Sequence, residues 1–189
     1  MAGNGKINFG LANLFIATYT EGTNGVGTLG TPLRIEGAKS ITLEPQGDSN
    51  VEYADNMAYW SDYTDNGFSG TLTVEKFPDE FKEQFLGYKK TADGGLAQIK
   101  GATRKPAALI FEGEDDALKR RVLLVNVSLS GITREWKTTE DKVEASTESV
   151  EIRVTGDNYN GVTKVGYNKG DAGYETVFTK PVVPSLEVA

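Results

Sequence analysis

The side chains this sequence offers for chemistry are carboxylates, hydroxyls, amides and aromatic rings, because its 189 residues include no histidine and no cysteine. That removes the commonest general base and the commonest transition-metal ligand. It also removes thiolate nucleophiles, thiolate metal sites and disulfides. Hard-oxygen ion sites, favouring calcium or magnesium, remain open, as does glycoside hydrolysis by paired carboxylates. No spacing singles out two of the 27 acids, so no catalytic residue, metal or cofactor is expected. Three short patterns imitate sites. "GVGTLG" (Gly25 to Gly30) spells the GxGxxG of dinucleotide binding, but Thr31-Pro32 and an extended "LRIEG" follow it, where the mechanism needs a helix N-terminus. It reads as a flexible loop. "EGEDDALKRR" (Glu112 to Arg121) lacks the EF-hand ligand spacing and reads as a solvated hairpin tip. "NVS" (Asn126 to Ser128) has the form of a glycosylation acceptor but lies inside an apolar run of a chain with no secretory signal.

One aromatic concentration stands out. "VEYADNMAYWSDYTDNGF" (Val51 to Phe68) gathers Tyr53, Tyr59, Trp60, Tyr63 and Phe68 among Asp55, Asp62 and Asp65. Such rings could stack on a sugar. Tyrosine and tryptophan are equally the residues of buried protein contacts, and a long aromatic segment is costly to leave in water, so a protein partner is the more economical reading.

The elements that must carry these residues are mostly strands. Ile41 and Leu43 alternate with Ser40, Thr42 and Glu44; Phe68, Leu72 and Val74 with Ser69, Thr71, Thr73 and Glu75; Val150, Ile152 and Val154 with Ser149, Glu151 and Arg153. Each strand thus has a greasy face and a face of small hydroxyls and carboxylates. Between Ala107 and Ile132 the apolar residues occupy both parities, so both faces should be buried. One short helix interrupts the strands at about residues 77–87. Pro78 suits its first position, Asp79 and Glu80 its positive end, and Gly87 its left-handed stop. Phe77, Phe81 and Phe85 make one face apolar, and so short a helix must lean on a larger body. "QGDSN" (Gln46 to Asn50) reads as a turn that folds the preceding strand back onto the aromatic segment. The tail shows weak strand character from Tyr174 to Phe178. The expected fold class is mainly β, a β-sandwich or partly open barrel with one flanking helix, in a single domain. Its extensions would be an N-terminal arm (about 1–8), a long loop (about 50–66) and a C-terminal arm (about 157–189). The net charge of −7 argues against attraction to nucleic-acid phosphates, and no stretch approaches membrane-spanning length.

With these segments located, the chain resembles the major tail protein, the tail tube subunit, of long non-contractile-tailed bacteriophages (siphophages) of Gram-positive hosts. "GLANLFIA" (Gly10 to Ala17), "GAKSITLEPQGD" (Gly37 to Asp48), "YADNMAYW" (Tyr53 to Trp60) and "NGFSGTLTVEKFPDEF" (Asn66 to Phe81) carry the resemblance in order. "FLGYKKTADGGL", "KPAALIFEGE", "RRVLLVNVSLS", "TESVEIRVTG" and "VFTKPVVP" continue it toward the end of the chain. The resemblance implies a structural virion protein, without enzymatic activity or cofactor, made and assembled in the host bacterial cytoplasm. It implies sixfold rings stacked into a tube, each subunit giving about four strands to an inner barrel through which DNA passes unbound. Implied partners are further copies of the chain, a tape measure protein, and tail terminator and distal tail proteins. On this reading Tyr53, Tyr59, Trp60 and Tyr63 belong to a subunit interface, and Glu44, Thr71, Thr73, Glu75 and Glu151 face the lumen. A carbohydrate-binding or adhesion module of a virion, or a related ring-forming secretion tube, are the alternatives.

Overall fold

The computed structural model describes residues 10–54, 56–113, 119–136 and 146–186. The expected N-terminal arm and the acidic tip at 114–118 lie outside them. Chain order begins β1 (Leu11–Thr20), β2 (Thr28–Leu29), β3 (Leu33–Arg34), β4 (Ala38–Pro45), β5 (Ser49–Ala54), β6 (Met57–Tyr63) and β7 (Phe68–Val74). Then come α1 (Asp79–Leu86), β8 (Lys89–Lys90), β9 (Leu96–Ala97), β10 (Ala107–Gly113) and β11 (Arg121–Leu129). The chain finishes with β12 (Thr133–Arg134), β13 (Glu148–Val154) and β14 (Lys164–Tyr167).

Ten strands form one antiparallel sheet, ordered β2-β1-β10-β11-β13-β7-β4, with β3 beside β1, β12 beside β13 and β14 beside β11. The sheet bends on itself but does not close, which is the mainly β, partly open barrel that the alternation predicts. The bend has a local cause in β11. Its first half pairs with β14 (Leu123↔Val165) and its last residues with β13 (Val127↔Val154). Between them Asn126 takes φ 55°, a left-handed conformation that asparagine tolerates better than most residues. Its Nδ2 donates to the Gly156 carbonyl at 2.8 Å, so the "NVS" asparagine is committed inside the fold. On the other side of β11, the register with β10 shifts between Ala107 and Leu109.

Both faces of β10 and β11 are buried, as their double-parity apolar runs require. One face joins a core of Leu14, Ile16, Leu72, Val74, Val150, Ile152 and Val154. The other joins Tyr19, Val177 and Val183. Helix α1 plugs the first core. Phe77, Phe81 and Phe85 are fully buried, their rings stacked at 4.5 and 5.6 Å between centroids. Gly87 closes the helix at φ 73°, while Pro78 sits at the N-cap with ψ 152° rather than inside the first turn. The helix therefore spans 79–86, inside the expected limits.

Two expectations differ from the structure. The residues from Tyr174 to Phe178 form turns rather than a strand: the Tyr174 N–H donates to Asp171 O and the Val177 N–H to Gly173 O, both at 3.0 Å. These short-range bonds occupy the donors that a strand would offer sideways. The strand of the tail is β14, and with Val177 and Val183 buried the expected C-terminal arm packs on its own sheet. The second difference is the expected long loop at 50–66, which is a β-hairpin. Strand β4 folds back not onto it but onto β7 (Thr42↔Thr71, Pro45↔Phe68). Asp55 of this segment lies outside the described residues.

Candidate functional site

The hydroxyl-and-carboxylate faces of the three alternating strands meet on one surface. Antiparallel partners directly opposite share a face, and the register aligns Ser40, Thr73 and Ser149 in one row; Thr42, Thr71 and Glu151 in the next; Glu44, Ser69 and Arg153 in a third. Ser128 of β11 extends the third row by pairing with Arg153. Short polar bonds hold the rows: the Thr71 N–H donates to Thr42 Oγ1 at 3.0 Å, Gln46 Nε2 to Ser69 Oγ at 2.7 Å, and the Glu151 N–H to Ser130 Oγ at 2.8 Å. Glu75 follows the end of β7 and pairs with Lys39 at 2.9 Å. The structure thus brings together Glu44, Thr71, Thr73, Glu75 and Glu151. Lys39 and Arg153 share their surface, so carboxylates outnumber cations only narrowly. The opposite face of the same strands is the phenylalanine-plugged core, which leaves this polar face outward.

The aromatic cluster projects from the end of that surface. The β4–β7 ladder continues past Pro45 and Phe68. The Gln46 N–H donates to Gly67 O at 2.8 Å, the Asn66 N–H to Gln46 O at 2.7 Å and the Thr64 N–H to Asp48 O at 3.0 Å. Ser49 then pairs with Tyr63, and the β5–β6 hairpin runs to its tip as a separate two-stranded sheet. At roughly 3.3 Å per residue, the run from Gln46 to Ala54 reaches roughly 30 Å beyond the sheet. Two-stranded hairpins standing alone in water are marginal, yet this one leaves Tyr53 72% exposed, Tyr59 81%, Tyr63 60% and Trp60 48%. The register slips at Tyr59, between the Glu52↔Trp60 and Tyr53↔Ala58 pairs. One face therefore carries Val51, Tyr53 and Tyr63, and the other carries Glu52, Trp60 and Asp62. Neither face is covered by its own subunit.

A polar sheet face and an exposed aromatic hairpin are thus joined at the end of β4. The phage tail tube protein family model matches residues 2–164. The chain belongs to the phage tail tube protein family. No curated protein matches the sequence. Among solved structures, this tail tube protein is similar to the tube-terminating cap of an anti-feeding prophage (TM-score 0.49, 10% identity, covering 86% of this chain and 93% of that one). It is also similar to a chain of the sheath–tube complex of an extracellular contractile injection system, PVC, in its extended state (TM-score 0.48, 8% identity, 86% and 93% covered). A third is a chain of that system's sheath/tube terminator (TM-score 0.47, 9% identity, 82% and 93% covered).

In this tail tube protein the glycine-rich "GVGTLG" is pinned internally. The Gly27 N–H donates to Asp157 Oδ1 at 2.7 Å, where a nucleotide-binding loop would offer it to phosphate. The Tyr19 hydroxyl donates to the same oxygen at 2.9 Å, and the Tyr159 and Asn160 N–H groups reach Oδ2 at 3.2 Å. A Cβ on Gly27 would lie 2.4 Å from the Tyr19 ring, so only glycine fits. Burial opposes ionisation of Asp157, but the donors from Gly27, Tyr19, Asn160 and Tyr159 outweigh it and hold the carboxyl below its ordinary range. Burial, with the Asp157 hydrogen bond and charge, pushes the Tyr19 phenol up to about 12. The sequence reading missed this hub. Its signal was "GDNYNG", an aspartate–asparagine–glycine cluster suited to side-chain-capped turns.

Two other buried carboxylates are structural. Glu148 accepts from the Phe77 N–H at 2.7 Å and lies 3.5 Å from Arg134 and 3.9 Å from Lys82, which fastens α1 to β13. Glu112 lies 3.5 Å from Arg121, whose guanidinium covers the Tyr174 and Phe178 rings of the tail. Among the described residues no group of three or more acids is placed to hold a metal ion, and no helix is long and apolar enough to cross a membrane.

Proposed function

We propose that this protein is the tail tube subunit of a long non-contractile phage tail of a Gram-positive host. It forms hexameric rings that stack into a conduit for DNA. The observation that carries the reading is the continuous polar face of β4, β7, β13 and the end of β11, backed by the helix-plugged core. In the proposed tube this face, with Glu44, Thr71, Thr73, Glu75 and Glu151, lines the lumen. Small hydroxyls and a slight excess of carboxylates give phosphates nothing to grip. The outer edge of β4 pairs with no strand among the described residues, and such an edge is a template for pairing between subunits. The subunit acts without catalysis or cofactor and is built into virions in the host cytoplasm. There a tape measure protein, a tail terminator and distal tail proteins set the length and ends of the tube.

The hairpin supplies the contacts along the tube, where Tyr53, Tyr59, Trp60 and Tyr63 become buried against another copy. Coupling its ordering to that burial delays polymerisation until subunits meet. Electron microscopy of the concentrated protein should show rings and tubes. A variant with residues 54–64 replaced by a short Gly-Ser turn should remain a folded monomer. If the wild type stays monomeric and binds glycans through the same aromatic residues, the adhesion reading replaces this one.

A further inference from the structure

Three asparagines among the described residues are followed by glycine: Asn24–Gly25, Asn66–Gly67 and Asn160–Gly161. Such a pair carries a reaction of its own. The glycine nitrogen attacks the asparagine Cγ, the new N–Cγ bond closes a succinimide ring, and the Cγ–Nδ2 bond breaks as ammonia leaves. Water then opens the ring to aspartate or isoaspartate, so neither enzyme nor oxidant is needed. Glycine brings no Cβ to crowd the attack. What remains is whether the fold leaves the nitrogen, the amide and the main chain free to move.

Two of the pairs are held. The Gly161 N–H donates to Asp157 O at 2.8 Å. Beside it the Asn160 amide is fixed at both ends, Nδ2 donating to Pro184 O at 2.8 Å and Oδ1 accepting from the Val162 N–H at 3.1 Å. At the hairpin root the Gly67 N–H donates to Asp65 Oδ1 at 3.0 Å and the Asn66 N–H to Gln46 O at 2.7 Å. Gly67 is also buried against the Val154 carbonyl.

The first pair is open. Asn24 is exposed on a bend, and among the described residues neither its amide nor the Gly25 N–H has a hydrogen-bond partner. The loop is fastened only at its base, where Thr20 pairs with Thr28 and Asp157 holds the Gly27 N–H. The same aspartate that pins the base of this loop also locks Gly161.

We propose that Asn24 is a self-modification site, converting spontaneously to aspartate and isoaspartate in the folded protein while Asn66 and Asn160 persist. This is independent of the tube reading. Each event adds one negative charge to a chain of net charge −7, in a loop that already carries Glu21. The isoaspartate form also lengthens the main chain of that loop by one carbon.

The test is to hold the protein in warm, mildly alkaline buffer, too dilute to assemble, beside a sample unfolded in urea. Mass spectrometry of tryptic peptides, with fragmentation, follows the replacement of amide by carboxyl at each asparagine. In the folded sample Asn24 should convert at least about tenfold faster than Asn66 or Asn160, whose attacking nitrogens must first give up a hydrogen bond. In urea the three should convert at similar rates. Gly25→Ala should suppress conversion at Asn24 without moving the melting temperature, because a Cβ there meets nothing within 4 Å and the φ is not left-handed. Conversion of Asn66 or Asn160 as fast as Asn24 in the folded protein would overturn the assignment. So would an Asn24 that stays intact there after the unfolded chain has reacted, or undiminished conversion in Gly25→Ala.

Discussion

Replacing Asp157 with alanine should destabilise the subunit more than any surface substitution. Its carboxylate is 2% exposed and serves four donors. Two of those donors, the Tyr19 hydroxyl and the Gly27 N–H, make buried bonds, whereas Tyr159 and Asn160 lie in a turn that water can reach. A buried donor left without a partner costs about 1–3 kcal/mol, so two of them predict a loss of about 3–4 kcal/mol. For a chain of this length, 1 kcal/mol moves the melting temperature by about 2–4 °C. The expected drop is therefore about 6–16 °C, followed by circular dichroism at pH 7 and a concentration too low for assembly. Asp157→Asn keeps an acceptor for Tyr19 and Gly27 but turns an amide toward the other N–H groups, so its drop should be smaller. A fall of under about 2 °C in the alanine variant would mean that water replaces the carboxylate, and the hub would not be what joins the glycine-rich loop to the turn after β13.

The hub also sets two limits in pH. Asp157 titrates low when folded, so its contribution is full above the ordinary carboxyl range and fades as pH falls through its depressed value; an Asp157→Asn chain should lose less stability in acid. Tyr19 titrates high, at about 12 against 10.0 unfolded, so its contribution is full below the lower value and disappears as pH climbs through the higher one. Alkaline melts of Tyr19→Phe should therefore be flatter than those of the wild type. Phe81→Ala, in the middle of the phenylalanine stack, should cost about 3–5 kcal/mol in urea unfolding; a cost under about 1 kcal/mol would mean that the helix is not plugging the core. Changing Glu44, Glu75 and Glu151 to lysine should leave the melting temperature within a few degrees, since exposed ion pairs such as Lys39–Glu75 are worth about 1 kcal/mol or less. Virions carrying the triple change should eject DNA more slowly, and unchanged ejection would place these residues outside the lumen.

The sequence made most of the sheet readable because burial leaves a period in it. Ile41 and Leu43, Leu72 and Val74, Val150 and Ile152 face one core, and their hydroxyl-bearing neighbours form the rows on the other side. The hairpin was misread for the same reason. With neither face buried by its own subunit, Val51, Tyr53 and Tyr63 on one side and Trp60 on the other cancel any alternation, and the slip at Tyr59 shifts the phase. Its strands are written in main-chain pairing alone. The tail failed differently: Tyr174 and Val177 are buried, but from successive turns rather than from a strand. Asp157 is a long-range device whose partners Tyr19 and Gly27 lie 138 and 130 residues away, and no local window holds all three.

The two partners of β11 have a mechanical meaning. A single covalent strand belongs to the polar layer through Val127–Leu129 and to the tail-covered layer through Arg121–Leu124, with Asn126 as the joint. Tension applied to one layer is passed to the other along peptide bonds, not across a slipping interface. Sliding the layers would require β11 to lose register with β13 and β14 together, so shear between them is stiff. The compliant element is then the root of the hairpin, where the link to the sheet narrows to the few main-chain bonds between 46–48 and 64–67. A stack of such subunits would flex as rigid blocks on short elastic stems.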